Sequence, residues 1–387
     1  MKYDFDKVYD RKGSGCFKYD AMKIVYGRDD LLALWVADMD FAVPPQIMEE
    51  IQRRLQHPIF GYNFKQDDHF TGFKDYIAKK HSWDLESEWL QMVPGIVPAI
   101  NFMVKIFTEV GDKITIQQPV YAPFKQAVCA HDRKLLVNNL IEENGQYTID
   151  FADLDKKLAK SKIFIFCSPH NPVGRVWTKA ELIEIGRLCK KHSVLVFSDE
   201  IHNDLVYPGS KHISLASLED FSHFTITMMS PAKTYNIAGL QAAVIIAPNP
   251  NLFDQIRKYL FDIHVYGSNA LGTIAFKAAY EYGQEWLEEL LVYLQGNRDY
   301  IYSRIAQMPK VKMAKSEATY LAWLDFRESK LTDEELADFC KDKAGLALNA
   351  GVSFGSKGSG FMRLNFACPR SILVEAMDKL QQALEEL

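Results

Sequence analysis

Along the middle of the chain, apolar and polar positions fall in blocks. Short runs at 113–117, 162–169, 194–200, 224–231 and 242–248 carry apolar residues at successive positions and are rich in branched side chains. A strand buried on both faces reads this way, because neither side of its pleat meets water. Between the second and third runs the period changes. Thr178 and Glu181 form a capping-box pair, and apolar residues then recur three and four apart through 181–192, which predicts a helix. Strand, helix and strand at this spacing require a crossover, so the sheet is expected to be mostly parallel.

From about Ala275 to Met308 the pattern is helical throughout. Its texture then changes. Residues 319–326 and 361–367 read as strands, Thr332 with Glu335 opens a further helix, and 370–386 forms the last one. The expected fold class is therefore α/β, a large domain on a mostly parallel sheet followed by a smaller α+β domain, with the division near 285.

Composition removes several alternatives. A chain of 387 residues holds two domains comfortably. The net charge of −5 argues against a nucleic-acid partner, which calls for a basic surplus. No apolar run approaches the roughly 20 residues that span a bilayer, and the polar, mixed-charge start of the chain lacks the apolar core of a signal peptide. The six cysteines (Cys16, Cys129, Cys167, Cys189, Cys340 and Cys368) include no C-x-x-C pair, which suits reduced thiols in a cytoplasmic enzyme. The ten histidines include no pair four apart, so a metal site has no local support.

Ligands of open parallel sheets bind beyond the carboxyl ends of the strands. After 162–168 comes Asn171, between His170 and Pro172. After 194–198 comes Asp199, followed by Glu200, Ile201 and His202. After 224–229 come Ser230, Pro231, Ala232 and Lys233. One sheet edge thus gathers an amide, a carboxylate, an imidazole, a hydroxyl and an amine. Ahead of them, Pro94 and Gly95 lead into a helix whose free N–H groups at Ile96 and Val97 suit a phosphate. These parts match the needs of pyridoxal phosphate: an amine for its aldehyde, an acid for its ring nitrogen and a cradle for its phosphate. The separations are 28 residues from Asn171 to Asp199 and 34 from Asp199 to Lys233, each about one strand–helix–strand crossover. His170 is expected to be structural.

With N-P-x-G, D-E and S-x-x-K in this order, the chain resembles the fold-type I pyridoxal-phosphate enzymes, the aminotransferase fold, from Trp35 to Arg363. The resemblance implies that Lys233 is the Schiff-base lysine and proton shuttle, that Asp199 pairs with the ring nitrogen, and that Asn171 bonds the ring hydroxyl, with His202 on the same side. It implies that Tyr121 stacks on the ring, and that the Ile96 and Val97 amides, Gly95 and Ser230 form the phosphate cradle. Arg363 is the implied clamp for the substrate carboxylate, with Ala37 at the substrate. Tyr62 is implied to reach the phosphate of a neighbouring subunit, which makes the protein a homodimer. Residues 1–44 are implied to join 286–387 in the small domain, leaving 45–285 as the large cofactor-binding one.

Three departures from most aminotransferases narrow the resemblance. His202 stands where they have tyrosine. Gln241 stands where they carry a cation for the phosphate. The stretch from Trp35 through Ala37 and Asp38 to Phe41 is distinctive. Together these resemble the MalY/PatB subgroup, the cystathionine β-lyase-like carbon–sulfur lyases, although Ala232 and Tyr235 replace that group's usual serine and phenylalanine. The implied reaction is β-elimination from L-cystathionine or a related cysteine thioether, giving pyruvate, ammonia and a thiol. Two alternatives stay open: an aminotransferase of amino acids, and a dual-role regulator that binds a protein partner.

Overall fold

The computed structural model describes residues 1–63 and 67–387. Seven strands form the large sheet: β1 (Leu90–Val93), β2 (Lys113–Gln118), β3 (Lys134–Asn139), β4 (Ile163–Cys167), β5 (Leu195–Asp199), β6 (Thr225–Met229) and β7 (Ala243–Ile246). Their order across the sheet is β1-β7-β6-β5-β4-β2-β3. The five from β3 to β6 run parallel, while β7 is antiparallel to both its neighbours, β6 and β1. Every residue of β4, β6 and β7 is buried, which is why these strands read as unbroken apolar runs. The two strands missing from the sequence expectation are β1 and β3. Both lie at an edge of the sheet, and β3 is partly exposed, so neither carries an unbroken apolar run.

Helix α1 (Ile96–Phe107) follows β1, and α2 (Lys179–Lys191) supplies the crossover from β4 to β5. Both bonds of the expected capping box form at Thr178 and Glu181. The helical stretch after Ala275 departs from expectation. It consists of two helices, α3 (Ala270–Tyr282) and α4 (Gln284–Ile305), separated by Gly283. A Cβ at Gly283 would sit 2.4 Å from the Tyr235 ring, so this position admits no side chain.

The second sheet has four antiparallel strands, β8 (Lys312–Met313), β9 (Leu321–Asp325), β10 (Asn349–Ala350) and β11 (Phe361–Asn365), in the order β8-β9-β11-β10. Helix α5 (Arg370–Glu385) closes the chain. The N-terminal segment runs along this sheet. Leu32–Ala33 pairs in parallel with Leu346–Ala347, the Asn365 N–H donates to the Leu34 carbonyl at 2.8 Å, and the Asp40 N–H donates to the Ala367 carbonyl at 2.9 Å. Residues 35–41 are thereby carried across to the carboxyl edge of the large sheet.

Candidate active site

A cavity of about 380 Å³ opens at that edge. Its wall brings together Ala37, Gly95, Ile96, Val97, Tyr121, Asn171, Asp199, His202, Ser230, Lys233 and Arg363, all the candidate residues but one. Tyr62 is the exception. Its side chain is fully exposed, and it borders a separate surface cleft with Phe60 and residues 266–271.

Lys233 sits in a four-residue helix, Pro231–Thr234, that opens directly after β6. Its amine donates to the Ala37 carbonyl at 2.5 Å. Burial lowers the amine's pKa to about 8, with Arg363 working in the same direction and Asp38 and Asp199 opposing. Asp199 ends β5. Its carboxylate accepts the Ile201 N–H at 3.1 Å and forms no ion pair among the described residues. Burial pushes its pKa up to about 7, against the lowering effects of the Ile201 bond and of Lys233. A buried carboxyl without a counter-cation is costly, and a cationic ring nitrogen would relieve that cost. His202 is held neutral, its pKa lowered to about 3 by burial and then by Lys233 and Arg363. Its Nδ1 is buried and has no partner among the described residues.

Two anchors behave differently from a simple reading. The Ser230 hydroxyl donates to the Ala242 carbonyl at 2.7 Å and accepts the Ala232 N–H at 3.1 Å, so one of its two lone pairs is already taken. The Asn171 Oδ1 accepts from Arg363 Nη1 at 3.1 Å, which leaves Nδ2 as the donor. Gly95 is extended (φ 169°), and a Cβ there would meet only Pro98 at 3.5 Å or more. Protein packing therefore does not demand glycine at 95. The space left by its missing side chain faces the cavity that it lines. Pro98 has no N–H, so Ile96 and Val97 hold the free donors at the start of α1. His170 lies off the cavity wall and bonds the Pro119 carbonyl through Nε2 at 2.7 Å.

Arg363 is buried and held on three sides. It donates to Asn171, to the Trp35 carbonyl at 3.0 Å and to the Asn349 Oδ1 at 2.7 Å. Burial lowers its pKa to about 10, and it remains charged at neutral pH.

The segment from 35 to 41 is fastened by its carbonyls. That of Trp35 accepts from Arg363. Those of Val36 and Asp38 accept from Asn365 Nδ2, both at 2.6 Å. That of Ala37 accepts from Tyr320 at 2.9 Å as well as from Lys233. That of Met39 accepts from Arg11 and Asn236, and that of Phe41 from Asn236. Sequence reasoning missed Asn236, Tyr320, Asn349 and Asn365. One signal was available for Asn365. It stands two residues beyond Arg363 in a strand, hence on the same face.

The donor set fits a small aromatic aldehyde bearing a phosphate: an amine, a buried acid lacking a cation, and two free N–H groups at a helix start. Comparisons with known proteins agree. The profile of aminotransferase class I and II matches residues 29–380. Cystathionine beta-lyase PatB of Bacillus subtilis is 40% identical, covering 98% of this chain and 100% of its own. The structure of cystalysin from Treponema denticola, which contains pyridoxal 5'-phosphate, superposes with a TM-score of 0.97 at 34% identity, covering 100% of both chains. The pyridoxal-phosphate-bound C–S lyase from Staphylococcus hominis gives a TM-score of 0.93 at 33% identity, covering 99% of this chain and 98% of that one.

Proposed function

This chain belongs to the aminotransferase class I and II family, and on that premise we propose that it is a pyridoxal-phosphate-dependent carbon–sulfur β-lyase cleaving L-cystathionine or related cysteine thioethers. The observation that carries the reading is the convergence of Lys233, Asp199 and Arg363 on one cavity. When bound, pyridoxal phosphate supplies an aldehyde for amines and a protonated ring that draws electrons from the substrate's α-carbon.

The protein's part follows from its own groups. Arg363 grips the α-carboxylate with a guanidinium already oriented by Asn349, Asn171 and Trp35. Lys233 would hold the cofactor through its aldehyde, and its free amine would serve as the base for the Cα proton. A pKa of about 8 leaves part of it unprotonated near neutral pH. Asp199 holds the proton on the ring nitrogen. Its high pKa belongs to a carboxyl without a cation, and a pyridinium beside it brings that pKa down. Asn171 Nδ2 and the neutral His202 would hold the ring oxygen, Tyr121 would stack on the ring, and the N–H groups of Ile96 and Val97 would hold the phosphate with Ser230. Gly95 lets that phosphate come close to the backbone, and Ala37 borders the substrate. Loss of a thiolate from Cβ gives an enamine, and its hydrolysis by water after release ends in pyruvate and ammonia.

Several further readings belong to the same proposal. A homodimer is supported by the exposed apolar Ile59, Phe60 and Tyr62, with Tyr62 reaching the partner's phosphate. A large domain at 45–285 and a small one at 1–44 and 286–387 are supported by the pairing of Leu32–Ala33 with Leu346–Ala347. Cytoplasmic placement is supported by six free thiols. Among the described residues, no helix is long and apolar enough to cross a membrane.

The test is pyruvate release from L-cystathionine with no 2-oxo acid present. A β-elimination restores the aldehyde each cycle, so release continues over many turnovers with thiol at the same rate. A single burst that resumes only on adding a 2-oxo acid identifies an aminotransferase instead.

A further inference from the structure

Behind the cavity lies a buried polar cluster that the proposed chemistry does not use. Asp204 is fully buried and accepts three hydrogen bonds: from the Tyr76 hydroxyl at 2.9 Å and His81 Nε2 at 3.1 Å, both on Oδ1, and from the Thr234 hydroxyl at 3.0 Å on Oδ2. Burial alone would raise this carboxyl's pKa. The bonds from His81, Tyr76 and Thr234 hold it below the usual carboxylate value, so it is a charged acceptor. Glu200, also fully buried, accepts from Ser198 at 2.8 Å, from Ser214 at 3.1 Å and from His212 at 2.9 Å. The His81 and His212 rings meet edge to face at 5.4 Å.

The position of Asp204 in the chain gives the cluster its meaning. Asp204 closes the turn that begins at Asp199, in which the Asn203 N–H bonds the Glu200 carbonyl and the Leu205 N–H bonds the His202 carbonyl. Thr234 directly follows Lys233. The Asp204–Thr234 bond therefore ties the turn that follows the acid to the short helix carrying the amine. That helix has only four residues, too few to hold its own place. Asp199 and Lys233 must serve the ring nitrogen and the aldehyde carbon, which lie at opposite ends of one rigid ring. Their separation must match a fixed length.

We propose that Asp204, acting through Thr234, is a positioning residue that sets the reach of Lys233 relative to Asp199, with Tyr76 and His81 holding Asp204 in place. The inference rests on the cofactor roles proposed for Lys233 and Asp199. Asp204 touches neither substrate nor cofactor and is not itself catalytic.

The experiment compares two ligands on the full chain freed of cofactor. Pyridoxal 5'-phosphate with borohydride reports linkage to Lys233, read by mass as the fraction of chain trapped. Pyridoxine 5'-phosphate lacks the aldehyde and reports ring and phosphate binding alone. In Thr234→Val, half-trapping should need about tenfold more pyridoxal phosphate, the scale of one buried hydrogen bond to a charged group, while pyridoxine phosphate binding stays within about twofold. Thr234→Ser, which restores the hydroxyl, should recover trapping to within about threefold of wild type. Equal weakening of both ligands, or no change in either, overturns the proposal, because a merely structural bond does not separate them. If Thr234→Val does not fold, Tyr76→Phe removes a different donor from Asp204 and should weaken trapping selectively by about threefold. Equal or absent effects there also overturn it. Wild-type protein that borohydride cannot trap at Lys233 defeats the cofactor reading itself, whereas normal wild-type trapping with an unchanged Thr234→Val defeats only this inference.

Discussion

Asp199 and Lys233 are each costly to bury alone, and both costs are measurable in cofactor-free protein. For Asp199 the folded pKa of about 7 lies above the carboxyl's ordinary value of 3.8. Between those values the folded state binds more protons than the unfolded one, so stability falls as pH rises through that window. Asp199→Asn removes the cost. We expect the variant to unfold at the same temperature as wild type at pH 4 and to be roughly 1–4 kcal/mol more stable at pH 8 in thermal or denaturant melts. With cofactor bound the order should reverse, since Asn cannot hold the ring proton. A variant no more stable than wild type at pH 8 would contradict the unpaired state of this carboxyl.

Lys233 has the opposite pattern. Its folded pKa of about 8 lies below 10.5, so its burial cost is fully present below pH 8 and disappears as pH rises toward 10.5. Lys233→Ala should therefore fold at pH 7 with no loss of stability in a cofactor-free melt. It should also be colourless after incubation with pyridoxal phosphate, with no absorbance change on borohydride treatment. A yellow, borohydride-sensitive Lys233→Ala protein would mean that another amine holds the cofactor.

At the level of elements, the segment from 35 to 41 is held by side-chain donors on its carbonyls as well as by the packing of Trp35, Met39 and Phe41. Asn365 is the strongest case, because one amide nitrogen serves the carbonyls of both Val36 and Asp38. Its Oδ1 also accepts the Ala367 N–H at 2.8 Å. Asn365→Ala should cost about 2–4 kcal/mol, the range for leaving buried backbone groups unpaired. It should both raise KM for the amino-acid substrate and lower kcat, because the loosened segment carries the Trp35 carbonyl that holds Arg363 and the Ala37 carbonyl that accepts from Lys233. Helix α2 offers a separate check on packing. A Cβ at Gly186 would lie 2.1 Å from the Phe221 ring, so Gly186→Ala should destabilise by about 1–3 kcal/mol in urea melts while leaving KM unchanged.

On the scale of the whole molecule, the exposed Phe60, Tyr62 and Tyr266 line one cleft instead of being scattered. In the proposed dimer this surface is covered, and Tyr62 completes the partner's phosphate site. Sedimentation should show a dimer at micromolar concentration, and Tyr62→Phe should retain less cofactor on dialysis. A monomer that keeps full activity on dilution would remove both expectations.

What the sequence determined by itself was local or strictly ordered. The buried strands were legible because burial on both faces leaves an unbroken apolar run, and the capping boxes that form at Thr178 with Glu181 and at Thr332 with Glu335 were legible because two side chains three residues apart close them. Lys233, Asp199 and Asn171 were legible because strand ends in a parallel sheet fall at one edge, at separations set by the crossovers. Only the tertiary structure decided the rest. It set β7 antiparallel, since a buried strand reads the same in either direction. It broke the long helix at Gly283, a position where Tyr235, far away in sequence, leaves no room for a side chain. It recruited Asn236, Tyr320, Asn349 and Asn365 to the cavity, and Asp204, Tyr76 and His81 behind it. Such residues are chosen by what they bond across the fold, and a hydrogen bond between distant residues leaves no period or spacing in the chain.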